Sequence, residues 1–158
     1  MNFQERVIQM TSRNMEDLFR SARAVPKDKL EWKPVNNGRS ALDQLQECAQ
    51  APTWFLSMLE TRKPPQFDKD LMEKARAERA TWKTIDECEN VCRKNSERLF
   101  EVIKKFPDKD LDVKIALPFG KGMVMSMADI AMAHYWNTTY HLGQINFIQT
   151  LYGDLEMH

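Results

Sequence analysis

Between Ser126 and Asp154 the chain reads SMADIAMAHYWNTTYHLGQINFIQTLYGD, and this stretch constrains the fold more than any other. At 100° per residue, Met127, Ile130, His134, Asn137, Thr138, His141, Gln144, Ile145 and Ile148 fall on one side of a helix. The apolar members mark that side as the one facing a core, yet it carries two imidazoles, two amides and a hydroxyl. Each such group costs roughly 1 to 3 kcal/mol if buried without a partner. The strip therefore has to meet other polar groups, water or an ion, and it is the only chemistry the sequence advertises.

The rest of the chain supplies a core for that helix to pack against. Its 158 residues are enough for one domain that buries about two thirds of its unfolded surface. With 23 basic residues against 23 acidic ones, no global field collects nucleic acid or anionic lipid, so neither a nucleic-acid nor a membrane partner is expected. No apolar run approaches the roughly 20 residues that span a bilayer, and the N-terminal MNFQERVIQM carries charge where a signal peptide needs its apolar centre. A cytoplasmic location is the expectation. Cys48, Cys88 and Cys92 are odd in number and lie in helical patterns, which predicts reduced core thiols in preference to a disulfide or metal pair.

Amphipathic spacing predicts a first helix over residues 3 to about 24, stopped by Pro26. A loop, LEWKPVNNGRS, follows it. Ser40 with Asp43 forms a capping box for a second helix, with Glu47, Ala51, Trp54 and Met58 continuing one row of it. Pro52 lies inside that pattern and predicts a kink, or a division into 41–51 and 53–62. Lys63-Pro64-Pro65 ends the segment, and DKDLMEKARAERA predicts a short exposed connecting helix.

Thr84 with Glu87 opens a third long helix, whose expected seam is Ile85, Cys88, Cys92, Asn95, Leu99, Val102 and Phe106; Asn95 reads there as a network residue. Alternating Leu111, Val113, Ile115 and Leu117 before Pro-Phe-Gly-Lys-Gly suggests a minor hairpin or extended crossover. Ser126 with Asp129 is a third capping box, and the last helix runs to Gly153. The class is all-α: a four-helix bundle whose long connections allow crossovers.

On the last helix His134 and His141 are about 10 Å apart along the axis, too far to share one ion. Asn137 and His141, one turn apart, can converge on a point. The order of elements, the LEWKP loop before a Ser-capped helix, the Thr-Tyr-His-Leu-Gly-Gln segment around His141 and the closing Leu-Tyr-Gly-Asp resemble the DinB/YfiT-like four-helix bundles. That resemblance covers nearly the whole chain and implies a single DinB-like domain over residues 1–158, a homodimer, and a divalent metal such as nickel or zinc.

In the family the metal is held by one histidine on the second helix and an H-x3-H pair on the last. Those positions fall on Glu47, Asn137 and His141, so only His141 matches, and a Glu/Asn/His set holds zinc or nickel poorly beside three imidazoles. The resemblance implies a metal-dependent hydrolase or thiol transferase, with a small-molecule substrate or a low-molecular-weight thiol as partner. The alternative is a metal-free dimeric bundle whose polar cluster is structural or binds a small organic ligand. His134, Thr138, Gln144, Trp54 and Met58 are the candidate pocket residues, Asn137 is expected to bond His141 or a backbone group, and Trp136 and Tyr140 read as packing or dimer residues.

Overall fold

In a computed structural model, which describes residues 1–158, four long helices pack around one axis. They are α1 (Phe3–Arg23), α2 (Ala41–Thr61), α4 (Ile85–Lys104) and α5 (Met127–Leu151), with the short α3 (Lys69–Arg79) between α2 and α4. A two-stranded antiparallel hairpin, β1 (Lys114–Ala116) with β2 (Val124–Ser126), leads into α5. No helix is long and apolar enough to cross a membrane.

Local chemistry sets where each long helix starts. Asn2 with Glu5, Ser40 with Asp43, Thr84 with Glu87 and Ser126 with Asp129 form reciprocal capping boxes, so each helix begins with its first free amides satisfied. The connecting α3 is capped by Asp68 alone and buries only Ala75, in keeping with its charged sequence.

α1 packs against α4 and α5, and α2 packs against the same two helices, which leaves α1 and α2 on opposite corners. The chain therefore crosses the end of the bundle between its first two long helices. One layer of the core gathers Leu18, Phe19, Leu45, Cys88, Cys92 and Ile145; the other gathers Leu59, Leu99, Ile103, Met127 and Ile130. Fully burying side chains of this size contributes about 1.5 to 3 kcal/mol each, which is what drives the helices together.

Two expectations are corrected. α2 runs unbroken through Pro52 instead of dividing there. Proline removes the amide that would bond the carbonyl four residues back, and the Cys92 thiol on α4 donates to that carbonyl, Cys48 O, at 3.4 Å. Next to it Asn95 Nδ2 donates to Ala49 O at 2.9 Å, so a neighbouring helix supports this turn. The seam of α4 also lies one residue later than expected in two places: Ser96 and Ile103 are buried, while Asn95 and Val102 are only half-buried.

The hairpin turn places Gly120, Lys121 and Gly122 at φ of 62°, 57° and 82°. Glycines at its two ends make this left-handed run affordable sterically. It projects Phe119 toward Phe67 of the α2–α3 loop, with ring centroids 5.5 Å apart.

Candidate functional site

The site lies where the middle of α5 faces the first turns of α2. His141 is 1% exposed, and its Nε2 stands 3.1 Å from Glu47 Oε1 across the bundle. Its Nδ1 faces the side-chain oxygens of Gln44, in a very short contact, and of Gln144 at 3.0 Å. Every partner of the ring is a side-chain oxygen.

Glu47 is saturated on both oxygens. While Oε1 meets His141, Oε2 receives Arg39 at 2.7 Å and has Arg79 of α3 at 3.7 Å. Arg39 precedes the Ser40 cap and also donates to Asp43 O at 3.0 Å, so the cap that starts α2 holds this guanidinium in place. The His141 hydrogen bond is the main reason that the Glu47 carboxyl is held down at about 2, with His141 and Arg39 charge acting in the same direction against burial.

Three cavities surround this pair. A largely apolar one of about 370 Å³ is walled by Trp54, Phe55, Met58, Phe67, Phe119 and Asn137, with Glu47 and Arg79 at its polar edge. The same two residues border a second cavity of about 360 Å³, which also presents Lys33, Arg39, Arg76 and Asp43. On the far side of Arg39, Gln44 and Gln144 line a third of about 430 Å³ together with Tyr140 and Phe147. All three are of the size that holds small organic molecules.

Trp54 and Met58 thus border the cavity beside Glu47, and Gln144 joins the His141 network. Asn137 does not bond His141 as expected; its Oδ1 is out of solvent with no partner. Thr138 turns toward α1, where Asn14 Nδ2 donates to it at 2.7 Å, and so stands outside that network. His134, expected as a pocket residue, borders none of these cavities. It is fully buried, its Nε2 is 2.9 Å from Ser96 Oγ on α4, and its Nδ1 has no partner. Burial pushes its pKa down to about 3, so the ring is neutral. Trp136 and Tyr140 face outward, at 45% and 63% exposure.

Does this donor set fit the divalent ion that the fold implies? No group of three His, Cys, Asp or Glu side chains converges anywhere in the chain. The carboxylate that would serve as ligand already carries two guanidiniums, so an ion placed there meets like charge. The third donor is an amide oxygen, a weak ligand for zinc or nickel. The residues present do not fit the metal.

No protein-family model and no curated protein sequence matches the chain. Solved structures do. YfiT from Bacillus subtilis, described as a probable metal-dependent hydrolase with an unusual four-helix bundle topology, superposes with a TM-score of 0.77 at 9% identity, over 95% of this chain and 87% of YfiT. The chain has the DinB/YfiT-like bundle fold. A DinB-like protein, YjoA, also from B. subtilis, gives 0.65 at 12% identity over 97% of this chain and 95% of its own. The mycothiol-dependent maleylpyruvate isomerase gives 0.65 at 10% identity, and the match covers 92% of this chain and 63% of the isomerase. These superpositions establish the shared fold, and at such low identity they leave the chemistry to the side chains.

Gln44, Arg39, Arg79 and Ser96 escaped the sequence reading. Gln44 sits one turn before Glu47, a spacing that does place both on one helix face. The arginines lie in a loop and on a connecting helix, where spacing carries no signal about what they reach.

Proposed function

We propose that this bundle binds a small organic molecule without a resident divalent ion. The ligand occupies the cavity between α2, α3 and the hairpin, and Glu47, held from behind by His141, forms its polar edge together with Arg79. One observation carries this reading: both Glu47 oxygens are engaged, one by His141 and the other by Arg39 and Arg79. A carboxylate so neutralised has little left to offer a cation. The unmatched Asn137 Oδ1 at the cavity wall adds an acceptor for a donor group on the ligand.

The second reading is a metal-dependent hydrolase or thiol transferase. It is favoured by the fold shared with a probable metal-dependent hydrolase and a mycothiol-dependent isomerase, and by Glu47 and Asn137 lining one cavity. Nickel titration followed by nitrogen–proton NMR separates the two. The metal-free reading expects no saturable broadening centred on His141 and Glu47. Saturable broadening at one equivalent, absent in His141→Ala, supports the metal-dependent reading instead.

A further inference from the structure

The two cavities that meet at Glu47 and Arg79 are chemically opposite, and together they specify a class of ligand. The apolar one is walled on one side by an aromatic row contributed by three separate segments: Trp54 from α2, Phe67 from the following loop and Phe119 from the hairpin tip. Trp54 and Phe67 centroids are 5.8 Å apart, and Phe67 and Phe119 centroids 5.5 Å. Phe119 remains 48% exposed and Met72 of α3 40% exposed, so apolar surface is left uncovered at the mouth.

The neighbouring cavity carries Lys33, Arg39, Arg76 and Arg79 against Asp43 and Glu47, four positive charges to two negative ones. Arg39 is tied to Glu47 at 2.7 Å, whereas Arg79 stands off at 3.7 Å. Arg76, one turn before Arg79 on α3, lies within reach of no carboxylate. Two guanidiniums on one face of a short helix, one loosely held and one unpaired, make a receptor for a planar or tetrahedral anion.

Building on the small-molecule reading above, we propose that the ligand is an organic anion with an apolar body. Its carboxylate or phosphate head lies on Arg76 and Arg79, and its hydrocarbon or aromatic body lies against Trp54, Phe67 and Phe119. The two cavities share Glu47 and Arg79, so one molecule can place a charged head in the first and an apolar body in the second. Because Arg79 also touches Glu47, the head sits within a few bonds' length of the His141 pair.

Calorimetric titration with octanoate, octyl phosphate and 1-octanol tests this, with the Trp54 indole resonance as the position marker. The expected result is that both anions bind and shift Trp54, at least about tenfold more tightly than the alcohol, equivalent to about 1.4 kcal/mol. Arg76→Gln, at an exposed position, weakens that preference while its melting temperature stays near wild type, and Arg76→Gln/Arg79→Gln abolishes it. If octanol binds as tightly as the anions, the cavity is a ligand site but the anionic class is wrong. If none of the three shifts Trp54, the inference fails. A shift of Trp54 by nickel alone overturns the metal-free reading beneath it.

Discussion

His134 and His141 share one helix face and have opposite fates. His134 is neutral in the fold, its pKa lowered from 6.5 to about 3 by burial. Below the unfolded value of 6.5 the unfolded chain takes up a proton that the folded chain does not, so stability falls as pH drops from 6.5 toward 3. The loss is at most about 5 kcal/mol over that window. Urea unfolding at a series of pH values will show this slope, and His134→Gln will flatten it. Glu47 acts lower. Its depressed pKa contributes stability present above 4.5 and lost as pH approaches 2.

His141→Ala removes the partner of Gln44, Gln144 and Glu47 Oε1 at once, and we expect a loss of roughly 2 to 4 kcal/mol. Added nickel or zinc will not recover it. A rise in the melting temperature of the wild type with either ion, absent in the variant, would contradict the site described above.

Among the elements, three of the four capping boxes were legible, because each needs only a Ser or Thr and an acid three residues on; the fourth, capped by Asn2 with Glu5, was not read. Ser126→Ala should cost about 1 kcal/mol in unfolding free energy, since it leaves the Asp129 amide unmatched where α5 starts. Pro52 was misread for the opposite reason: whether a proline breaks a helix depends on who takes the freed carbonyl, and Cys92 is 44 residues away.

The same packing makes the thiols inert. Burial pushes Cys88 and Cys92 up to about 12 and raises Cys48 well above the ordinary thiol value, so none forms appreciable thiolate at mildly alkaline pH. A disulfide-exchange reagent should label no cysteine in the native protein and all three in guanidinium. Rapid labelling of the folded chain would show that the α2–α4 interface opens.

On the scale of the whole molecule, four helices and a hairpin could be read from apolar periodicity and turn residues, and the facing of α5 toward Glu47 from the family resemblance. The environment of Glu47 could not. Arg39, Arg79 and Gln44 reach it through three-dimensional convergence of a loop, a connecting helix and a neighbouring turn, and no periodicity encodes such a meeting. That convergence separates this chain from a metal-binding bundle of the same shape: the donors that remain are one imidazole, a carboxylate already neutralised and an amide.

Elemental analysis of the protein, produced without an affinity tag from cells supplied with nickel and zinc, addresses this most directly. The account predicts far less than one equivalent of any divalent transition metal per chain, and the same trace level in His141→Ala. One equivalent of nickel or zinc in the wild-type chain, absent from that variant, would contradict it.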